Sequence, residues 1–273
     1  MGCLNDNGQF KHWFGNIHLS GPCNRKCYFC IGQHMMALDK YNILDKWPLD
    51  GFDEYIKTCR EYGVETIYLT GTNTDPLLYK HLDKMNEYMY QNHFTFGVRT
   101  NAVYDLSLLR YFDKGSVTIC SLDPIIYKKM MGMGEPPSIY KILDATRNWF
   151  DFKVNIVLGL ENIGDDLIRT ILRLGLAGVR KINLREPYGQ PHIGDPLKRN
   201  YTADFTTLGM PVYKFYDCEV TYWDVHYVEV ESVNLYASGR TSLTYPITKG
   251  CADDGIVLDQ THFHGGRVRE QWV

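Results

Sequence analysis

The chain has 273 residues, 44% of them hydrophobic, enough to bury a substantial core. Its formal net charge of −3 argues against a broad basic surface for long nucleic acid, although a local basic patch is compatible with that balance. No run approaches the roughly 18 apolar residues of a membrane span, and the opening "MGCLNDNGQFKHWFG" lacks the apolar core of a secretory signal. Asp6 stands where a myristoylation motif takes Ser or Thr. The expected compartment is therefore the cytoplasm, where thiols stay reduced.

In chain order, "HWFGNIHLS" (12–20) predicts a strand, and "DGFDEYIKTCREYG" (50–63) a helix with Asp50 as its cap and Gly63 as its stop. Then come a strand at 65–71, a helix at 77–92, a strand at 94–101, a short helix at 106–113 and a strand at 116–123. A helix at 138–150, a strand at 152–159, a helix at 164–178 and a strand at 181–187 complete the series. Strand and helix alternating across short connections predict a parallel sheet with right-handed crossovers. After about residue 200 the chain is rich in Tyr, Val and Trp without helical periodicity, which predicts antiparallel strands with a turn at "ASGR" (237–240). The expected organisation is a barrel unit over 1–199 and a β-rich extension over 200–273.

Eight cysteines are present, and three are clustered: Cys23, Cys27 and Cys30 in "CNRKCYFC", directly after the first predicted strand. In a reducing compartment such a cluster reads as metal-binding or catalytic before it reads as disulfide. A structural zinc site takes four ligands, and His18 or His34 is near enough in sequence to supply the fourth. The alternative is an iron–sulfur cluster held by thiolates. A four-iron cluster with three protein ligands leaves one iron open to a small chelating molecule.

This stretch resembles the signature of the radical S-adenosylmethionine (radical SAM) superfamily, C-x3-C-x-Φ-C with Φ aromatic, and Phe29 stands at Φ. The resemblance implies a [4Fe–4S] cluster on Cys23, Cys27 and Cys30 that binds SAM at its open iron. One electron then cleaves the sulfonium, and the resulting 5′-deoxyadenosyl radical abstracts a hydrogen atom from substrate. It also implies an electron donor such as flavodoxin or ferredoxin.

Later segments are similar to the family as well. "LTGTNTDPLLY" (69–79) resembles the segment "GGE" that contacts the SAM amino group: Gly71 matches, Thr72 and Asn73 replace the second Gly and the Glu, and two residues precede Pro76. On that resemblance the amino group meets carbonyls, Thr72 or Asn73; an ordinary polar loop is the other reading. "RTNAVY" (99–104) resembles the "TNG" after the third strand and points to Asn101. "SLDP" (121–124) resembles "SLDG" after the fourth. Alternation puts Val117, Ile119, Ser121 and Asp123 on one face, with Ser121 and Asp123 at the strand end where parallel barrels build active sites. Ser121 is a candidate for a ribose or carboxylate contact, and a capping role in the loop is the alternative.

"VNIVLGLEN" (154–162) resembles the fifth-strand segment G-x-I-x-G-x-x-E beside adenine. Alternation sends Val154, Ile156 and Leu158 toward the helices and Asn155, Val157 and Gly159 inward. An inward Asn155 needs a partner, either a ribose hydroxyl or a neighbouring protein group. In "KINLREP" (181–187), Lys181, Asn183 and Arg185 share one face opposite Ile182 and Leu184. A six-stranded partial barrel has room for a polar occupant, and Arg185 with Arg99 is the expected anchor for an anionic group on substrate. A solvent-facing edge strand is the alternative for that row.

The resemblance covers residues 12 to 187 and is nearest to the branch of the molybdopterin-precursor cyclase and the SPASM-type enzymes. That branch typically carries auxiliary-cluster cysteines in its tail, whereas Cys218 and Cys251 here lie 33 residues apart without short-spaced partners. They read as buried thiols, so one cluster is expected. The end of the chain holds His262, His264, Arg267 and Arg269, which either close over the cavity or belong to a solvated terminus. The expectation is an α/β protein, a partial (β/α)6 TIM-type barrel with a short C-terminal β-rich extension. Its expected activity is radical SAM chemistry on a small anionic metabolite or nucleotide-type molecule. The alternatives are a nucleic-acid base or a peptide as substrate, or a non-catalytic zinc or iron–sulfur protein.

Overall fold

The computed structural model describes residues 13–33, 41–187, 192–207, 209–224 and 231–243. His262, His264, Arg267 and Arg269 lie outside these residues, as do His34 and Cys251. Six strands are hydrogen-bonded side by side in sequence order and all parallel: β1 (Phe14–Leu19), β2 (Thr66–Gly71), β3 (Thr95–Thr100), β4 (Lys114–Thr118), β5 (Asp151–Val157) and β6 (Lys181–Arg185). The α-helices between them are α1 (Phe52–Glu61), α2 (Leu82–Gln91), α3 (Pro124–Met131), α4 (Ile139–Ala145) and α5 (Asp165–Ala177).

The apolar periodicity explains the packing. Phe52, Tyr55, Ile56 and Cys59 form one buried stripe of α1, and Leu167, Ile171 and Leu174 one of α5. They cover the outward residues of the strands: Ile17, Leu69 and Val98 in one core cluster, Val117, Val154 and Ile182 in another. Helix α1 is preceded by Gly51 rather than Asp50 at its N-cap, with Asp50 instead paired to Lys46, and Gly63 follows its end at a φ of 66°.

Two elements differ from the expectation. Strand β4 ends at Thr118, and the segment "SLDP" opens an unexpected helix, α3, with Asp123 as N-cap and Pro124 in its first turn. The strands after residue 200 also do more than form an antiparallel group. Strands β7 (Phe205–Thr207), β8 (Met210–Phe215) and β9 (Cys218–Trp223) are an antiparallel series, but β9 pairs parallel with β6. Strand β10 (Ser232–Leu235) pairs parallel with β1 at the opposite side, and β11 (Thr241–Ser242) folds back on β10 through the expected turn at 237–240.

Eight parallel strands thus stand in the row β10-β1-β2-β3-β4-β5-β6-β9. Flat, at about 4.8 Å per strand, that row would be roughly 34 Å wide. The chain from Trp223 at the end of β9 to Ser232 at the start of β10 reaches at most about 32 Å, and part of that is spent along the strand direction. The row therefore curls, and its inward face encloses a space. Among the described residues, no helix is long and apolar enough to cross a membrane.

Candidate active site

A cavity of about 260 Å³ lies at the C-terminal ends of the strands, and each of β1 to β6 contributes to its wall. The loop after β1 forms one side with Cys23, Cys27, Phe29 and Cys30. It is held from three directions. The Lys26 N–H donates to the Met131 carbonyl at 3.0 Å, Thr74 Oγ1 donates to the Pro22 carbonyl at 2.7 Å, and Asn101 Nδ2 donates to Asn24 Oδ1 at 2.7 Å. Within the loop, Cys27 Sγ lies 3.6 Å from Met131 Sδ, and Cys30 Sγ donates to the Thr72 carbonyl at 3.4 Å.

Burial pushes the Cys23 and Cys27 thiols up, and in Cys27 the nearby Cys120, Cys30 and Cys23 push it further. Three ionised thiols here would repel one another, so the donor set fits a cationic group that all three share. Among the described residues, no three His, Cys, Asp or Glu side chains are spaced for a single metal ion. Thiolates that each hold a different iron of one cluster need no such convergence.

The floor is polar, as the alternation of the strands requires. Arg99 Nη1 donates to Asn16 Oδ1 at 2.7 Å, and its guanidinium lies 4.5 Å from the Tyr68 ring centroid and 5.4 Å from that of Phe14. His18 lines the cavity, with its ring stacked on Tyr236 at 5.1 Å between centroids. Asn155 also lines it, but neighbouring protein groups satisfy its amide: Nδ2 donates to Ser116 Oγ at 2.9 Å, and Oδ1 accepts from Asn183 Nδ2 at 3.3 Å. Arg185 and Glu186 close the far wall.

No family model matches the chain. Over 171 residues it is 28% identical to the GTP 3′,8-cyclase of Aquifex aeolicus, covering 58% of this chain and 51% of that protein. Over 170 residues it is 28% identical to an S-adenosylmethionine-dependent nucleotide dehydratase of Lacinutrix mariniflava, covering 58% of this chain and 35% of that protein. The chain therefore matches only about a third to a half of the length of these curated relatives. Its fold superposes on that of Streptococcus suis SuiB bound to S-adenosylmethionine with a TM-score of 0.58 at 10% identity, over 88% of this chain and 62% of that one. A second SuiB structure gives a TM-score of 0.50 at 14% identity, over 68% and 42%. The chain resembles the radical SAM superfamily in its cysteine motif, and the two curated relatives and the shared fold agree with that resemblance.

Against the radical SAM signature, the cavity gathers Cys23, Cys27, Cys30, Phe29, Gly71, Thr72, Asn101, Asn155, Arg99 and Arg185. Gly71 is required by close approach, because a Cβ there would lie 1.8 Å from the Thr74 carbonyl oxygen. Four of the expected site residues do not line the cavity. Asn73 accepts the Gly21 N–H at 3.1 Å. Ser121 is fully buried and accepts the Asp123 N–H at 3.0 Å, while Asp123 accepts the N–H groups of Ile125 and Ile126. Both lie beyond the end of β4, where the chain turns into α3. Lys181 does share the inward face of Arg185, but at the opposite end of β6, where it pairs with Asp151 at 2.9 Å.

Asp75 lines the cavity and was missed from sequence. Its carboxylate accepts from Thr100 Oγ1 at 2.8 Å, from the Asn101 N–H at 2.7 Å and from the Leu77 N–H at 3.0 Å. Burial pushes its pKa up while these donors oppose the shift. Its sequence signal is a lone acid directly before Pro76 in the segment that resembles the radical SAM "GGE". Asn162, at the position of that family's fifth-strand Glu, holds the strand ends together: it accepts the Gly159 N–H at 2.8 Å and donates to the carbonyls of Cys120 and Val157.

Proposed function

We propose that Cys23, Cys27 and Cys30 hold one [4Fe–4S] cluster and that SAM lies beside it against the loops after β2 and β3. The substrate is a small anionic molecule of nucleotide type. The observation that carries this is the convergence of the three thiols and the inward polar ends of all six strands on one cavity. When bound, the cluster and SAM supply one-electron cleavage of the sulfonium and hence hydrogen-atom abstraction from substrate.

The residues of the chain do the rest. The loop after β1 presents the thiols, and Phe29 packs in the wall beside them. Thr72 and Asn101 present polar groups where the SAM amino acid would lie, on the loops after β2 and β3 that buried Asp75 ties together. Arg99 and Arg185 bring positive charge to the cavity, as an anionic substrate requires. The curated relatives, named for a GTP cyclase and a nucleotide dehydratase, support nucleotides as the class to try first. An acidic one-electron carrier such as flavodoxin or ferredoxin would supply the electron.

The test is to incubate the anaerobically reconstituted protein with SAM, dithionite and pools of deuterated nucleotides, and to follow deuterium into 5′-deoxyadenosine. Deuterium transfer from one pool identifies the substrate. Absence of 5′-deoxyadenosine under all conditions overturns the reading.

A further inference from the structure

At the floor of the cavity the two asparagine amides have only one consistent orientation. The guanidinium of Arg99 can only donate, so the Asn16 atom facing it at 2.7 Å is the oxygen. The Asn16 nitrogen is then free to donate to Asn234, at 2.9 Å. The carbonyls of Ser232 and Ser242 can only accept, so the Asn234 atom facing them, at 3.2 and 3.4 Å, is the nitrogen. Asn234 Oδ1 therefore points toward Asn16 and toward His18 Nε2, 3.1 Å away.

An acceptor at Nε2 assigns the proton to that nitrogen, and in neutral imidazole the lone pair then sits on Nδ1. His18 is 4% exposed, and its Nδ1 has no hydrogen-bond partner among the described residues. Burial, helped by the charge of Arg99 on β3, lowers the His18 pKa to about 4, so the ring stays neutral near pH 7. Asn16 and Asn234, on β1 and β10, are uncharged.

We infer that His18 is a substrate-binding residue whose Nδ1 accepts a hydrogen bond from an O–H or N–H group of the molecule that Arg99 and Arg185 attract, and that Asn234 on β10 is the positioning residue that sets its tautomer. This rests on the reading of the cavity as a substrate site and deepens it. The ligand is an anion that also carries a hydrogen-bond donor, such as a nucleotide with its ribose hydroxyls. The C-terminal strand β10, outside the segment similar to the family, thereby shapes the substrate pocket.

Diethyl pyrocarbonate, which attacks unprotonated imidazole nitrogen, tests this on the reconstituted protein, with modified histidines mapped by peptide mass spectrometry. His18 should react at pH 5 within about twofold of its rate at pH 7, whereas a histidine with an ordinary pKa slows about 25-fold over that interval. Asn234→Asp should move the midpoint of the His18 profile upward, because a carboxylate at Nε2 favours imidazolium. A pool of ribonucleoside mono- and triphosphates, with SAM present, should slow His18 modification several-fold. His18 that stays unmodified, that follows an ordinary profile, or that reacts without protection by any nucleotide overturns the inference. If Asn234→Asp does not fold, the wild-type profile and the protection decide. Formation of 5′-deoxyadenosine is measured separately, so failure of the radical SAM reading is distinguishable from failure at His18.

Discussion

The Cys30 thiol donates to the Thr72 carbonyl at 3.4 Å, so the cysteine loop after β1 and the loop after β2 form one wall. A thiolate bound to iron has no proton to donate, and that contact changes when a cluster is held. Reconstituted protein should carry about four irons and four sulfides per chain. Cys23→Ala, Cys27→Ala and Cys30→Ala should each abolish iron uptake. Stoichiometric zinc without iron would refute the assignment, and about eight irons would show that further cysteines ligate a second cluster.

Asn155 bridges Ser116 on β4 and Asn183 on β6 inside the barrel. Asn155→Ala leaves both without this partner and should destabilise the fold by about 1–3 kcal/mol. Urea unfolding of the two proteins checks it. An unchanged midpoint, together with weaker SAM binding, would show that the amide serves the ligand rather than the sheet.

His18 also makes stability depend on pH. Its folded pKa is about 4 against an ordinary 6.5, so between these values the unfolded chain binds more protons and stability falls as pH falls. The full difference is on the order of 3 kcal/mol. The gap in urea midpoint between wild type and His18→Gln should shift against wild type from pH 7 to pH 4. A constant gap would mean that the ring titrates in the fold as it does in the unfolded chain.

Arg185 lines the far wall, and its fork suits two oxygens of one anionic group. Arg185→Lys keeps the charge and loses the fork, so substrate-dependent turnover should fall, and Arg185→Ala should lower it further. Turnover and substrate-free 5′-deoxyadenosine release are compared in preparations matched for iron. Equal loss of both would place Arg185 in the SAM site or the fold.

Much of this was readable in advance because alternation reports faces reliably. It placed Val154 and Ile156 outward, and Asn155 and Arg185 inward. It does not report depth, which is why Lys181 shares the right face yet lies at the wrong end of β6. Ser121 and Asp123 follow a strand that stops at Thr118, and "DP" is equally a helix start, which is the role it takes. Asp75 was hidden by the two extra residues before Pro76. The pairing of β10 with β1 joins positions more than two hundred residues apart, and no local pattern encodes such a contact.

That pairing has a consequence for synthesis on the ribosome. Until residues 232–235 have emerged, β1 is a sheet edge with open backbone groups, and Asn16 and His18 lack their Asn234 partner. The barrel half that carries the cysteines therefore closes late, through a contact of very large sequence separation, and slow final folding follows. A nascent chain released before β10 would expose an adhesive edge beside its three clustered cysteines. Chains of that length should aggregate or depend on chaperones even though every residue of the cysteine motif is already made.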